Sequence, residues 1–324
     1  MPEISAIYLR LPNWIGDVCM SLPSLHTALD SGRPVVVCAR PWARDLLAGY
    51  PLAAYVEMTG KWLRDGAAVS AMRKANGHRR PRGILLPDSL SSALVFRWAG
   101  IPACGYRDDG RSLLLRWPER KPEPAPHAVQ SWHHLTVRAL QHWGLPISQA
   151  HPSQTLDLRL APRHLEEGRI ALEAAGLEAG RFILIAPTAT GLHHGKVKVW
   201  PHFDALTRAL QAAGLEVVMS PPPSEIDQAR RNAPTARCIP PLKLGAFATL
   251  TRAAALVICN DSGVSHLAAA SGARQLTLFG VTRRERTGPW SPTATCLGDD
   301  QHWPSFDEVL QAALSLVQPK PSLA

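Results

Sequence analysis

The densest group of residues able to do chemistry is Asn260-Asp261-Ser262-Gly263-Val264-Ser265-His266-Leu267. It follows the apolar run Leu256–Cys259 and opens a stretch of small residues, Ala268 to Gly272, so the order is strand, turn, helix. Such a turn leaves backbone N–H groups free at the positive end of a helix, which is an anion site. Gly263 lets a diphosphate approach the backbone closely. Asp261 has three readings beside it: helix cap, partner of a sugar hydroxyl, or orienting group for a lysine. The plain alternative is a capped helix with His266 packed in a core.

Asp17, in Asn13-Trp14-Ile15-Gly16-Asp17, stands just after the first expected strand. Doubly wound folds place ligands at that lip, where a partly buried carboxylate can act as a general base. Its plain reading is a first-turn acid stabilised by the helix dipole. Lys198, in Gly195-Lys196-Val197-Lys198-Val199-Trp200-Pro201, precedes another expected helix and can neutralise a diphosphate leaving group; otherwise it is a solvated loop lysine. Glu225 follows a further strand, where acids often bond ribose hydroxyls. His133-His134 and His193-His194 suggest metal ligands, but no carboxylate or cysteine spacing supports a metal, and none is expected. Other sites are missing from the sequence. There is no G-x-G-x-x-G after a strand, Gly191 to Gly195-Lys196 is one residue short of a P-loop and lacks its Ser/Thr, and no D-x-D is present to hold a metal on a diphosphate.

The elements that must position these residues alternate between strand and helix. In the first half, strands are expected at Ala6–Leu11, Pro34–Cys38, Ala54–Met58 and Gly83–Leu86. Helices are expected from Gly16 to Leu29, over Pro41–Ala48, Lys61–Ala75 and Ser91–Ala99, and from His127 to Trp143. The continuous, β-branched Pro34–Cys38 reads as a parallel strand buried on both faces. Between Gly144 and Pro162, Pro, Ser and Gln cluster without helical period, and a domain boundary is expected there, giving domains 1–150 and 151–324. The second half repeats the rhythm: helix Pro162–Ala175, strand Phe182–Ala186, a helix opening at Trp200-Pro201, strand Glu216–Met219, helices Ser224–Asn232 and Leu244–Ala254, strand Leu256–Asn260, helix Gly263–Ser271 and strand Gln275–Phe279. A last helix, 305–317, opens with a Ser305/Glu308 capping box. The fold class is therefore α/β, with two doubly wound domains and a ligand cleft expected between them.

Composition narrows the function. The 324 residues carry 35 Lys+Arg against 26 Asp+Glu, a net charge of +9 with 46% hydrophobic residues. Residues 1–150 hold 18 of those cations and 11 of the acids, and Lys61 to Arg82 holds seven cations against Asp65 alone. A basic half implies an anionic partner, either nucleic acid, membrane surface or phosphorylated substrate; a solvated face is the bland alternative. No spanning helix and no secretion leader are expected. The six cysteines, without a C-x-x-C, read as reduced thiols packed as small hydrophobes.

Taken in order, these segments resemble the ADP-heptose–lipopolysaccharide heptosyltransferases, inverting glycosyltransferases of family 9 with the GT-B fold of two Rossmann-like domains. The resemblance lies in Arg10 to Pro23, Leu85 to Leu94, Gly105 to Arg111, Lys198-Val199-Trp200-Pro201, Asn260 to Ala270 and Leu278-Phe279-Gly280, and it is greatest to the heptosyltransferase II branch. It implies Asp17 as catalytic base, with Asn13, Trp14 and Gly16 on the acceptor side. It implies Lys198, Thr188 and Thr190 at the ADP phosphates, Glu225 at the ribose and the backbone near Leu242 at the adenine, while Asp261, Ser262, Gly263 and His266 line the donor site. The implied donor is ADP-heptose, used without a metal or other cofactor. The implied acceptor is the anionic lipid A–Kdo inner core, reached from the cytoplasm by peripheral association with the inner membrane. The last helix is expected to pack back on the N-terminal domain. Three segments depart from the pattern: Val199 after the lysine, Pro221–Pro223 before Glu225, and Val281-Thr282-Arg283-Arg284 after the Phe-Gly pair. A same-family enzyme with another acceptor or nucleotide sugar is the alternative. A nucleic-acid module has little support without interleaved aromatics, and a non-catalytic relative is disfavoured by the retained Asp17 and Lys198.

Overall fold

The computed structural model describes residues 3–108, 110–190, 192–193 and 195–317. Asp109, Gly191 and His194, each part of a segment singled out above, lie outside the described residues. The chain divides into two compact units, Met1–Ser153 and Gln154–Ala324. The division falls inside the Pro/Ser/Gln-rich segment, a few residues past the expected position, and by Leu158 the backbone donates to Ala270 O at 2.9 Å, so the chain is already tied to the second unit.

In the first unit, β1 (Ala6–Arg10), β2 (Val35–Ala39), β3 (Ala54–Glu57), β4 (Pro81–Leu85), β5 (Ala103–Tyr106) and β6 (Trp117–Glu119) form one parallel sheet in the order β3-β2-β1-β4-β5-β6. Ile7 pairs with Val35 on one side and Arg82 on the other, so β1 is central and every one of its residues is buried. The second unit has β7 (Phe182–Ala186), a small antiparallel hairpin of β8 (Leu192–His193) and β9 (Lys196–Val197), then β10 (Glu216–Met219), β11 (Arg237–Cys238), β12 (Leu256–Asn260), β13 (Gln275–Leu278) and β14 (Ala294–Leu297). Its parallel sheet runs β11-β10-β7-β12-β13-β14, the same doubly wound order with β7 at the centre. Apolar runs such as Val35-Val36-Val37 and Leu256-Val257-Ile258 are buried on both faces because helices cover both sides of each sheet.

Several expectations are corrected. The helix expected from Gly16 to Leu29 is two helices, Ile15–Met20 and Leu22–Asp30, meeting at Ser21. Pro23 has no N–H to give the Cys19 carbonyl, and Ser21 closes the first helix, its N–H donating to Asp17 O at 3.0 Å and its hydroxyl to Val18 O at 2.8 Å. The helix expected from Ser224 begins as a 3₁₀ turn, Pro223–Glu225, before Ile226–Asn232, because three consecutive prolines delay the first complete turn. The last helix, Phe306–Val317, opens with the expected capping box: Ser305 N–H donates to Glu308 Oε2 at 2.8 Å and Glu308 N–H to Ser305 Oγ at 3.3 Å. It buries Val309 and Ala313 in the second unit's own core against the helix Phe203–Ala212. Its apolar residues recur at i, i+3 and i+4, and that single stripe is committed to this packing. Among the described residues no helix is long and apolar enough to cross a membrane.

Candidate active site

In the second unit, β7 and β12 are neighbours whose following segments diverge to opposite faces, and this topological switch point is where an open α/β sheet binds its ligand. Asn260, the last residue of β12, is fully buried there. Its Oδ1 accepts the Trp200 N–H at 2.8 Å, and its Nδ2 lies 3.4 Å from both Ala186 O and Thr188 O. One amide therefore fixes the loop leaving β7 and the segment that carries Lys198. Asn232 adds a second tie to the same loop, with Nδ2 donating to Pro187 O at 2.7 Å.

Asp261 follows, and its role is settled among the three readings to the extent that it is not the helix cap. Ser262 caps the helix Gly263–Ser271, its Oγ accepting the Val264 N–H at 3.3 Å. Asp261 Oδ2 instead accepts the Thr282 hydroxyl at 2.6 Å and lies 3.9 Å from Lys198 Nζ, while Oδ1 lies 3.8 Å from His266 Nε2. The lysine contact is an ion pair too long for a hydrogen bond, so Asp261 holds the ammonium in place without consuming its donors. Half-exposed Ser262 and Gly263 present the helix start to the same side. The arrangement offers an ammonium and the positive end of a helix to an anion, with a carboxylate orienting the ammonium from behind.

Thr188 and Glu225 are brought together: the buried Thr188 hydroxyl donates to Glu225 Oε2 at 2.5 Å. Glu225 is half-buried at the lip after β10. Thr190 is exposed further along the loop. Leu242 is half-buried in the segment between β11 and the helix Leu244–Ala253, at the far edge of the same lip.

In the first unit, the segment leaving β1 is held by Arg10, a 5% exposed guanidinium that donates to Asn13 Oδ1 at 2.7 Å and to the Leu11 carbonyl. Burial pushes the Arg10 pKa down from its ordinary value. Asn13 and Trp14 are exposed, Trp14 at 73%, and Gly16 is buried. Asp17 lies half-buried in the first turn of the helix Ile15–Met20, whose cap position is Trp14. The same lip carries Asp88, paired with Lys121 at 2.7 Å, and Lys121 also pairs with Asp108. Beside them the fully buried Arg111 donates to Tyr106 O at 2.6 Å and Pro87 O at 2.5 Å, which ties the segments 85–94 and 105–111 together.

The paired histidines divide differently. His133 bonds Thr27 Oγ1 at 3.2 Å and burial pushes its pKa down to about 4, while His134 lies 3.2 Å from the Tyr106 hydroxyl. Both are structural partners on the helix Ala128–Trp143. Among the described residues no three His, Cys, Asp or Glu side chains group as a metal site. Burial raises the thiols of Cys38, Cys104 and Cys259 to about 12, so none supplies a thiolate. Sequence reasoning singled out the segment that begins at Asn260 but gave that residue no role of its own, and it missed Thr282 and Asn232 as site residues. Only Asn260 carried a signal: a polar amide ending an otherwise apolar strand, LVICN.

The sequence profile of glycosyltransferase family 9 (heptosyltransferase) matches residues 72–314. The chain is 28% identical over 309 residues to lipooligosaccharide heptosyltransferase 2 of Haemophilus influenzae, covering 88% of this chain and 86% of that one. It is 29% identical over 304 residues to lipopolysaccharide heptosyltransferase 2 of Escherichia coli, covering 87% and 85%. The solved structure of E. coli ADP-heptose LPS heptosyltransferase II superposes with a TM-score of 0.72 at 23% identity, covering 96% of this chain and 98% of that one. Both doubly wound sheets thus have their counterparts in a GT-B structure.

Proposed function

This chain belongs to glycosyltransferase family 9, the heptosyltransferases, and from that premise we propose that it transfers L-glycero-D-manno-heptose from ADP-heptose to the inner core of lipopolysaccharide, with heptosyl-Kdo2-lipid A as acceptor. The observation that carries the reading is the Asp261–Lys198 pair at the start of the helix Gly263–Ser271. It presents positive charge and free amides where a departing diphosphate needs them.

In this mechanism the acceptor hydroxyl oxygen attacks the anomeric carbon from the face opposite the ADP, so configuration inverts. Asp17 takes the hydroxyl proton as the C–O bond forms. The bond from the anomeric carbon to the phosphate oxygen breaks, and ADP departs with that electron pair. Lys198 and the N–H groups at Ser262 and Gly263 stabilise the negative charge that develops. A positioned base contributes about 10²–10⁴-fold and fixed charge stabilisation about 10²–10³-fold. Thr190 reaches the phosphates, Glu225, steadied by Thr188, bonds the ribose, and the backbone at Leu242 borders the adenine. Asn13, Trp14 and Gly16 form the acceptor side, and His266 backs Asp261. No metal ion has a part in this reading, because cationic side chains and a helix end take the role a cation would play on the diphosphate. A glycolipid acceptor would bring the enzyme to the cytoplasmic face of the inner membrane as a peripheral protein.

Mass spectrometry tests it: the protein is incubated with ADP-heptose and either Kdo2-lipid A or heptosyl-Kdo2-lipid A, without added metal. A one-heptose gain on the second acceptor alone is expected. A gain on the first alone, or on neither, overturns the acceptor assignment. Asp17→Asn is expected to abolish turnover while ADP affinity stays within a few-fold; near-normal turnover removes Asp17 from the base role.

A further inference from the structure

The helices Trp62–Ala75 and Leu90–Trp98 of the first unit pack on each other, and their contact leaves three large apolar side chains facing solvent. Trp98 lies flat enough over the helix Trp62–Ala75 that a Cβ on Gly66 would sit 2.7 Å from its ring. Trp62 meets Trp98 edge-on, with centroids 5.7 Å apart at 60°. Neither ring is covered by this contact: Trp62 is 44% exposed, Trp98 51% and the adjoining Leu63 54%. Cations surround them. Lys61, Arg64 and Arg97 are exposed neighbours in the chain, and the Arg73 guanidinium lies 3.6 Å from where a Cβ on Gly100 would be, two residues past Trp98.

The charge on this patch is of one sign. The one acid within 61–75 and 90–100 is Asp65, and it is 3% exposed. Its carboxylate turns inward, accepting the Thr59 N–H at 2.8 Å, the Thr59 hydroxyl at 2.7 Å and the Gly60 N–H at 3.0 Å. Those bonds fasten the loop before the helix to its first turn, so Lys61, Trp62 and Leu63 are presented from a fixed backbone. Paired indoles with a leucine, rimmed by Lys and Arg and with no exposed acid on the two helices that carry them, have the chemistry of an interfacial anchor. The rings enter the headgroup layer and the cations meet anionic lipid.

We propose that this patch is the surface by which the protein docks on an anionic phospholipid bilayer. The inference deepens the reading of a membrane-borne glycolipid acceptor and rests on it. The test is co-sedimentation of the full chain with vesicles of phosphatidylglycerol and phosphatidylethanolamine, against phosphatidylcholine vesicles, beside heptose transfer to a soluble deacylated acceptor. Wild type is expected to bind the anionic vesicles at least tenfold better than the neutral ones, and less so as salt rises. Trp62→Ser/Leu63→Ser and Arg64→Glu/Arg97→Glu are each expected to weaken that binding tenfold or more, with unchanged thermal melting and unchanged transfer to the soluble acceptor.

Absence of wild-type binding overturns the proposal, as does equal binding by the variants. So does a concentration-dependent dimer that Trp62→Ser/Leu63→Ser dissolves without affecting vesicle binding, which would make the patch a contact between copies. Patch-dependent vesicle binding by a protein that transfers no heptose would leave the docking surface standing and the proposed reaction refuted.

Discussion

Replacing Asn260 with alanine tests the idea that one buried amide assembles the donor side of the site. Asn260 is fully buried, so nothing from solvent can take over its bonds. The substitution strands the Trp200 N–H, which donates to it at 2.8 Å, at a cost of about 1–3 kcal/mol for an unsatisfied buried donor. The two 3.4 Å contacts to Ala186 O and Thr188 O are long and add a smaller amount, since each carbonyl keeps a second lone pair. The expected loss is about 2–4 kcal/mol, at the scale of a broken buried polar network. It should be local to the second unit. Native-state hydrogen exchange resolved by mass spectrometry separates the units: peptides covering 182–188 and 199–212 should lose protection, and those covering β1, β2 and β4 should not. ADP affinity should fall at least tenfold, because Thr188 and Lys198 no longer share a fixed frame. Asn260→Asp should be worse than alanine, since it keeps an acceptor for Trp200 but aims a second oxygen at two carbonyls. A loss below about 0.5 kcal/mol, with ADP affinity intact, would refute the assignment of Asn260 as the common anchor.

Two other outcomes follow from the packing. The unfolded chain protonates His133 at its ordinary value of 6.5 and the folded one only at about 4, so stability is fully present above pH 6.5 and is lost as pH falls toward 4. The loss is about 2 kcal/mol by pH 5, read as the difference between wild type and His133→Gln in urea titrations at pH 7.5 and 5; parallel behaviour of the two proteins would contradict it. Gly280→Ala would set a Cβ 2.0 Å from the Trp303 ring, which packs against the second unit's core, and should cost about 1–3 kcal/mol by overpacking. Exchange protection of β13 reports it, and an unchanged value would mean that Trp303 moves freely.

The central strands were legible because a run such as Val35-Val36-Val37 or Leu256-Val257-Ile258 has few homes besides a sheet covered on both faces. Three of the four edge strands, and the interior Ala103–Tyr106, were not. Trp117–Glu119, Arg237–Cys238 and Ala294–Leu297 are two to four residues long and only partly buried, so they carry no apolar run to read. The site divides in the same way. Lys198, Asp261 and Ser262 stand beside local signals, a helix start and a strand end. The Thr282–Asp261 bond spans 21 residues and the Trp200–Asn260 bond 60, and neither follows any sequence period. Serine and aspartate are near-equal caps by propensity, so only the fold could say that Ser262 closes the helix and leaves Asp261 for the lysine.

The repetition of one strand order in both units has a consequence for how this enzyme can change over generations. Each sheet closes its own core, and in the proposed reaction each lip would draw its chemistry from its own loops: a carboxylate after β1, an ammonium and open amides around β7 and β12. Substitutions distant from one another are close to additive in free energy. On that reading, drift in the loops that read one substrate leaves the inherited recognition of the other largely untaxed. A lineage built this way can explore new acceptors while its nucleotide sugar stays fixed, and residue 153 marks a natural crossover point for exchanging one half with a relative.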